Sequence, residues 1–371
     1  MEQQEQQAPP LRRVTIVGKD RIEEYPVPVK EERLNREPRQ SMTSITARRR
    51  AVFEAGLEPW VLAGKPEATS LRVVWWLYAA SKAYKIGWIP QPRMVWSYNA
   101  ASNKMMEWLN QMRPYFMAIT TVMTAKGGAT KTTISTWLVA TLALATNLAS
   151  AIFDTNRGGG KVAGRFSLKK EAMISTTSVS KHVNKGNTPT YDELIAATGT
   201  DDETGVVVFH HIAGHSISEV TMIKTVTELK HNFHTFVIDT SPNLRDPATF
   251  GASKASTVRV LVGKASSEED LEDLQETLDD VGYRLREQLD TVVISLSDLP
   301  IHKCGTREQY QYAARFKVPP EQIVLIPFDP HLKRVGKVVR KALTPKARYA
   351  MTSLAKKVAS TAMHVNGYTP E

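Results

Sequence analysis

The chain has 371 residues, 42% of them hydrophobic, which is enough for one large domain with additional segments. Its formal net charge of +10 at pH 7 predicts a polyanionic partner. The single cysteine, Cys304, excludes an internal disulfide and with it a disulfide-rich secreted fold. The polar, Gln-rich N-terminus has no apolar signal segment, so we expect a cytoplasmic protein.

The first 112 residues differ in composition from the rest of the chain. Residues 1–45 are polar and interrupted by Pro26, Pro28 and Pro38, which predicts a disordered arm. Residues 46–112 predict a small helical, Trp-rich region, with a helix over 97–112. We interpret this region as a small core or a cover packed on the main domain. A DNA- or partner-recognition module is the alternative.

From residue 115 onward, short runs rich in Val and Ile alternate with amphipathic stretches. This rhythm predicts an α/β fold, a mostly parallel sheet with helices on both faces. The long apolar stretch at 134–153 is interrupted by Thr, Asn and Ser, and we expect a buried helix and a strand there rather than a membrane span. The predicted strands are 116–123, 151–153, 206–209, 235–238, 258–262, 291–294 and 323–326.

The first predicted strand leads into a glycine-containing loop with the sequence Thr-Ala-Lys-Gly-Gly-Ala-Thr-Lys-Thr-Thr at 124–133. A triphosphate site needs inward backbone amides, a helix N-terminus, a lysine for the phosphate oxygens and a hydroxyl for Mg²⁺. Gly127 and Gly128 permit the tight turn, while Lys131 and Thr132 supply the two side chains. The residues expected to contact the nucleotide in this loop are Lys126, Gly127, Gly128, Ala129, Thr130, Lys131, Thr132 and Thr133.

This loop resembles the deviant Walker A motif of the ParA/MinD family of P-loop ATPases, Lys-Gly-Gly-x-Gly-Lys-Thr. The resemblance includes the additional lysine, Lys126, which in the family reaches the partner's nucleotide in an ATP-bound dimer. It implies ATP and Mg²⁺ as cofactors and a homodimer on ATP binding. It extends over about 115–360 within an ATPase domain that we place at 113–363, followed by a tail at 364–371. Thr130 departs from the family's glycine, and we expect it to crowd the phosphates.

Two later carboxylates occupy family positions. Asp154 follows the second strand and matches the first acid of the family's Asp-x-Asp switch I, whereas Asn156 replaces the second. Asp239 follows the strand at 235–238, as in the family's Walker B motif. The resemblance therefore implies Thr132, Asp154 and Asp239 around Mg²⁺, with Lys126, Lys131, Asp154 and Asn156 as the catalytic set. Because an amide cannot accept a proton from water, hydrolysis should be slow or stimulated by a partner.

The strand at 323–326 and the turn after it resemble the segment that closes these domains around adenine, which implies contacts from Pro327 and Asp329. The run at 291–294 is followed by Ser-Leu-Ser-Asp at 295–298, where the family often has an asparagine near the base. His210, His211 and His215 suggest a metal site, but without nearby carboxylates we interpret them as a loop cluster. Cys304 is expected to be structural.

Between Asp329 and Glu371 the chain has no acidic residue. On a helix, the basic residues there would share one face and could bind DNA phosphates or an anionic membrane. A MinD-type membrane helix carries bulky apolar residues at its end, which this chain lacks, so DNA is favoured and membrane binding disfavoured. A solvated helix face is the third interpretation. The candidate DNA-binding residues are Lys333, Arg334, Lys337, Arg340 and Lys341.

The leading hypothesis is a ParA-type dimeric switch in plasmid or chromosome partitioning, which binds DNA nonspecifically on the nucleoid and responds to a ParB-like partner protein. One alternative is a MinD-like positioning ATPase of a secretion, conjugation or division machine. The other, suggested by Thr130 and Asn156, is a pseudo-ATPase scaffold.

Overall fold

A computed structural model describes most of the chain after residue 91 and two short segments before it. Only the backbone is described at 11–18, 21–28, 92–97, 284–285 and 333. The described residues are 11–18, 21–28, 92–113, 117–124, 130–156, 160–168, 175–285, 289–333, 337–338 and 343–368.

Two antiparallel strands lie near the N-terminus: β1 (Leu11–Gly18) and β2 (Arg21–Pro28), paired from Leu11 with Pro28 to Gly18 with Arg21. The structure differs here from the prediction of a disordered arm over 1–45. Both segments are rich in Val, Ile, Thr and Tyr, which favour strands. Pro26 and Pro28 lie in a two-stranded ribbon, where every strand is an edge and a missing N–H is tolerated. The rest of 1–45 lies outside the described residues.

The main sheet has eight strands within the described residues, in the order β10-β9-β8-β3-β7-β4-β6-β5. Every neighbouring pair is parallel except β5 with β6. All seven strands predicted from the sequence are confirmed; β5, a two-residue edge strand, was missed because it carries no apolar run. The strands are β3 (Ala118–Met123), β4 (Ser150–Asp154), β5 (Gly199–Thr200), β6 (Val207–Phe209), β7 (Thr235–Asp239), β8 (Val258–Lys264), β9 (Val292–Leu299) and β10 (Ile323–Pro327).

Helices cover both faces of this sheet, as the sequence predicts for a parallel sheet. Successive residues of β4 and β7 point to opposite sides: Ile152 and Val237 join one core, while Phe153 and Phe236 join the other. The helices are α1 (Pro92–Met112), α2 (Lys131–Thr146), α3 (Thr176–Asn184), α4 (Tyr191–Ala197), α5 (Glu219–Leu229), α6 (Pro247–Ala255), α7 (Glu268–Leu285), α8 (Thr306–Phe316), α9 (Pro330–Lys333) and α10 (Pro345–Val365).

Helix α2 is almost entirely buried, because it contributes to the central core on one face of the sheet. It ends at Thr146, where Asn147 in the left-handed conformation caps it and β4 follows. The apolar stretch at 134–153 is therefore a buried helix and a strand, as predicted. Among the residues that the structure describes, none of the helices combines the length and hydropathy needed to cross a membrane.

Helix α1 packs against α10 and α2, on the face of the domain opposite to α5 and α6. The Ser102 and Thr352 hydroxyls are 2.9 Å apart, and the Tyr98 and Tyr349 rings are 5.4 Å apart. Leu109 is only 1% exposed. The predicted helix at 97–112 is confirmed, and its packing favours the interpretation of this region as a cover. Residues 46–91 lie outside the described residues.

The segment after β10 differs from the single basic helix that the charge pattern suggests. Helix α9 has only four residues, and residues 337 and 338 are not helical. The Val338 amide donates to the Arg165 carbonyl oxygen at 2.7 Å, a bond to another part of the chain that replaces a helical one. Asp329 joins the start of the segment after β10 to the start of α10, because its carboxylate accepts from the amides of His331 and Thr344, both at 2.8 Å. Residues 334–336 and 339–342 lie outside the described residues.

Candidate nucleotide-binding site

The N-terminus of α2 lies at the carboxyl end of the sheet, where sites of parallel sheets gather. Strand β3 ends at Met123, and α2 begins at Lys131 after a short connection. Residues 125–129 lie outside the described residues, so the predictions for Lys126, Gly127, Gly128 and Ala129 stay predictions. Lys131, Thr132 and Thr133 form the first turn of α2, as the phosphate-loop pattern predicts.

Three side chains of α2 converge on the carboxylate of Asp239, at the end of β7. Lys131 Nζ forms an ion pair with Asp239 Oδ1 at 2.6 Å. The Thr132 hydroxyl donates to Oδ2 at 2.7 Å, and the Ser135 hydroxyl donates to Oδ1 at 2.8 Å. Lys131 and Asp239 are both buried, which makes these charge-assisted bonds strong. The structure brings together Lys131, Thr132 and Asp239, three residues that the sequence predicts for one site, and their roles there stay predictions. Sequence reasoning missed Ser135, whose signal is a polar side chain one turn after Lys131 in an apolar helix.

The second predicted carboxylate, Asp154, lies next to Asp239 because β4 and β7 are adjacent and these two residues are in register. Asp154 is fully buried. Its Oδ1 accepts from the Asn156 amide at 2.9 Å and its Oδ2 from the Val162 amide at 3.4 Å. Burial, followed by the nearby charge of Asp239, raises the pKa of Asp154 from 3.8 to about 7. The two carboxylates therefore form an acidic pair with few neutralising contacts on the Asp154 side.

The chain after Asp154 folds back over its carboxylate. A β-carbon on Gly160 would lie 1.6 Å from Asp154 Oδ2, so only glycine fits beside this carboxylate without a shift. The Thr176 hydroxyl of α3 donates to the Asp154 carbonyl oxygen at 2.7 Å. Asn156, predicted to replace the second acid, contributes its backbone amide to Asp154. Residues 157–159 lie outside the described residues.

Arg165 is a residue of this site that sequence reasoning missed. It is buried, and its Nη2 donates to the Thr133 hydroxyl at 3.2 Å. Burial lowers the pKa of its guanidinium, while Asp239 opposes that shift. Its carbonyl oxygen accepts from Val338, so this residue links α2 to the basic segment. No motif marks Arg165, since its contacts are made across the fold.

Thr130, the departure from the family's glycine, directs its hydroxyl toward β9. Its Oγ1 lies 2.8 Å from Ser297 Oγ. Although it occupies the N-cap position of α2, its side chain makes no capping bond. Ser297 is buried and lies in the Ser-Leu-Ser-Asp sequence that replaces the family's asparagine.

Pro327 and Asp329 lie at the end of β10, on the other side of β8 and β9 from α2. Asp329 is 1% exposed and accepts from two backbone amides, so it has a clear structural role in joining the start of the segment after β10 to the start of α10. The contacts that the resemblance implies for Pro327 and Asp329 with adenine stay predictions.

The other candidates lie apart from these contacts. His211 Nε2 is 3.0 Å from the His215 carbonyl oxygen, and burial lowers the pKa of His210. Within the described part of the chain, no three His, Cys, Asp or Glu side chains form a group that could hold a metal ion. Burial raises the pKa of Cys304 to about 11, which keeps the thiol protonated and unreactive at neutral pH.

The basic C-terminal residues fall into two groups. Lys337 is exposed, whereas Arg348 is buried and donates to the Leu343 carbonyl oxygen at 3.0 Å. Lys346 and Lys356 lie over the aromatic rings of Tyr98 and Trp108 in α1, at 5.7 and 5.1 Å from the ring centroids. The side chains of Lys333, Arg334, Arg340 and Lys341 lie outside the described residues.

These residues fit a nucleotide with its metal. A lysine suits phosphate oxygens, as does a helix N-terminus at which the N-cap side chain of Thr130 makes no capping bond. Mg²⁺ uses few protein carboxylates and keeps waters and substrate phosphates as its other ligands, so one hydroxyl and two neighbouring carboxylates suit it. Thr132, Asp154 and Asp239 would hold the metal, which when bound would neutralise phosphate charge.

A central strand, a helix that begins with lysine and threonine, and an acid on the neighbouring strand define the class of P-loop folds. Within that class, comparison with solved structures identifies the fold. A chain of the MinC:MinD cell division protein complex of Aquifex aeolicus matches with a TM-score of 0.50 and 16% identity, over 68% of this chain and 98% of that one. This chain therefore has the fold of the ParA/MinD-type ATPases.

Two further structures are similar. A ParA family ATPase from Chlorobium tepidum has a TM-score of 0.49 and 12% identity, over 67% of this chain and 99% of its own. The septum site-determining protein MinD of Pyrococcus horikoshii, complexed with Mg-ADP, has a TM-score of 0.48 and 16% identity, over 64% and 94%. Neither a family model nor a curated protein matches this chain in sequence.

Proposed function

We propose that this protein is a dimeric switch ATPase of the ParA/MinD type, which binds ATP with Mg²⁺ at the N-terminus of α2. The observation that carries the proposal is the convergence of Lys131, Thr132 and Ser135 on Asp239, directly beside Asp154. Phosphate-binding and metal-binding groups thus meet at one edge of the sheet. This arrangement has no evident structural need, because a buried ion pair contributes little net stability.

In the proposed site, Lys131 would bind the phosphates, and Thr132 and Asp239 would hold the metal. Asp154 would support the metal from the neighbouring strand, and the bound metal would neutralise phosphate charge. Asn156 orients water without accepting its proton, so that hydrolysis is slow until a ParB-like partner protein stimulates it. Lys126 of a second copy completes the nucleotide site, which couples ATP binding to homodimer formation.

For the output of the switch, we propose nonspecific DNA binding in plasmid or chromosome partitioning. The support is the net charge of +10 and the acid-free C-terminal segment, in which Lys337 is exposed. A dimer presents this segment twice, so DNA affinity rises with ATP. If ATP promotes dimers that bind no DNA, the positioning role in a secretion, conjugation or division machine takes its place.

The test is calorimetric titration of the full chain with ATP, with and without Mg²⁺. Lys131→Ala removes charge-assisted bonds to phosphate, and we expect affinity to fall by about 100-fold or more. The matched control is Lys254→Ala, which breaks a more exposed ion pair, 2.7 Å to Glu219 against 2.6 Å for Lys131 to Asp239, and should leave affinity unchanged.

Lys131→Ala leaves Asp239 buried without its cation and could unfold the protein. A second variant therefore separates loss of ATP binding from loss of folding. Thr132→Ala retains the ion pair and should remove only the increment in affinity that Mg²⁺ supplies. Absence of ATP binding by the unaltered protein at millimolar Mg²⁺ would refute the proposed function and leave the pseudo-ATPase scaffold.

A further inference from the structure

Thr130 and Ser297 form a hydroxyl contact between the start of α2 and strand β9, 167 positions apart in the chain. The Ser297 hydroxyl donates to the Gly263 carbonyl oxygen of β8 at 3.2 Å. A serine hydroxyl has one hydrogen, so with that hydrogen on Gly263 the 2.8 Å contact must be a donation from Thr130 to Ser297. The result is a directed chain of hydrogen bonds from Thr130 through Ser297 to Gly263.

This chain is anchored in the rigid part of the sheet. Ser297 is 2% exposed, and its carbonyl oxygen accepts from the Ala265 amide at 3.3 Å. Strands β8 and β9 pair in parallel through Leu296 and Ser297. Ser297 is therefore held in place by the sheet, and its hydrogen bond to Thr130 fixes the position of the Thr130 side chain.

The direction of the Thr130 hydroxyl also determines what the helix N-terminus presents. A threonine at an N-cap ordinarily accepts from an amide of the first turn, which satisfies a donor that an anion would otherwise use. Here the hydroxyl makes no such bond, although the Thr130 carbonyl oxygen accepts from Ile134 at 2.9 Å as a helix start requires. The first turn of α2 thus lacks the side-chain cap that would compete with phosphate.

We propose that Thr130 is a positioning residue for nucleotide binding: its hydrogen bond to Ser297 directs its hydroxyl toward β9 and keeps the threonine from capping α2. This inference rests on the proposed function. It reverses the expectation from the sequence that the side chain crowds the phosphates. The hydrogen bond to Ser297 fixes Thr130 at the position where the family motif has a glycine, whose backbone is freer to change conformation.

The experiment is a double-mutant cycle, with the Kd for ATP in Mg²⁺ measured by calorimetry. Thr130→Val removes the hydroxyl at constant shape, and Ser297→Ala removes its acceptor. We expect each to weaken binding about fivefold, the worth of one net hydrogen bond, and the double variant to be no weaker than either. Thr130→Ser should retain affinity within about twofold, since it keeps the donor.

The matched control is Thr352→Val, which removes the threonine of a second buried Thr–Ser hydroxyl pair, 2.9 Å from Ser102, remote from the site. It should change the melting temperature of the nucleotide-free protein without changing the Kd. If Thr130→Val behaves like this control, the contact is structural only and the proposal is overturned. Tighter binding by Thr130→Gly would likewise overturn it in favour of crowding. ATP binding by the unaltered protein separates either result from failure of the proposed function.

Discussion

At the scale of single residues, the main feature of the site is a pair of adjacent carboxylates whose hydrogen-bond partners differ. Within the described residues, Asp239 receives a cation and two hydroxyls, whereas Asp154 accepts from two backbone amides. Burial and then the neighbouring charge of Asp239 raise the pKa of Asp154 to about 7, although Lys131 and the two amides oppose the shift. Near neutral pH, this residue therefore exchanges a proton between the solvent and a fully buried position.

This shift predicts a pH dependence of stability. Because folding raises the pKa of this acid, its contribution is fully present below the unfolded value of 3.8 and is lost as the pH rises through about 7. We expect Asp154→Asn, free of nucleotide and Mg²⁺, to gain stability over the unaltered protein as pH rises from about 5 to about 8. Between about pH 5 and the folded pKa of about 7, the shift limits this pH-dependent gain to about 3 kcal/mol.

Urea unfolding at several pH values measures this gain. Asp202→Asn, which alters an exposed carboxylate, should follow the unaltered protein at every pH. A difference between Asp154→Asn and the unaltered protein that stays constant with pH would show that Asp154 is ionised in the folded state over the whole range.

Sequence reasoning found the site residues that carry a local pattern and missed those that depend on the fold. Lys131 and Thr132 follow the glycine-containing loop, and Asp239 ends a predicted strand. By contrast, Ser135 meets Asp239 across 104 positions and Thr130 meets Ser297 across 167. Contacts between isolated polar residues at such separations leave no periodic signal in the sequence, because either partner alone is an ordinary serine or threonine.

At the scale of elements, the hydrophobic runs predicted which segments form strands, but they did not predict where a strand with a polar end stops. Strand β9 extends to Leu299, although its apolar run ends at Ile294, because Ser295 and Ser297 continue it as buried polar residues. The basic segment shows the opposite failure. Its charge spacing fits a helix, but within the described residues of 330–338 the helix covers Pro330–Lys333, and Val338 bonds to Arg165 instead. A hydrogen bond to another part of the fold here takes the place of a helical one.

Helix α1 gives a prediction at this scale. Leu109 is buried in the same core as α2 and α10, so the helix is integral to the stability of the ATPase fold. Leu109→Ala should lower the free energy of unfolding by about 2–5 kcal/mol, the usual cost of a cavity. Asn110→Ala, on the exposed side of the same helix, should change it by less than about 0.5 kcal/mol.

Chemical denaturation followed by tryptophan fluorescence measures both variants, since Trp108 and Trp137 pack in or against this core. Equal stability of the two variants would mean that α1 can leave the domain without cost, as expected for an independent module rather than a cover.

At the scale of the whole molecule, the net charge of +10 overstates the cationic surface available to a polyanion. Arg348 is buried, Lys346 and Lys356 lie over rings of α1, and burial lowers the pKa of Lys357. Helix α1 thus occupies the surface where much of the C-terminal charge would otherwise face solvent. Among the described basic residues of the acid-free segment, Lys337 is exposed to solvent.

This distribution predicts how two lysines differ in DNA binding. In the presence of ATP, Lys337→Ala should weaken binding to DNA of any sequence and reduce the slope of log K against log salt by about 0.9, the value for one phosphate contact. Lys356→Ala should leave the slope unchanged, because its ammonium lies over Trp108. Fluorescence anisotropy at several salt concentrations measures the slope. A slope that Lys337→Ala does not alter would remove this segment from the DNA contact.

The close approach of Gly160 to Asp154 restricts how this protein can diverge. A methyl group at position 160 would overlap the carboxylate oxygen, so the two positions are free to vary only together. Among homologues of this chain, those that keep the acid should keep glycine six residues later, and those that lose the acid are released from that constraint. The presence of both residues together is therefore a marker for relatives that retain the proposed metal ligand Asp154.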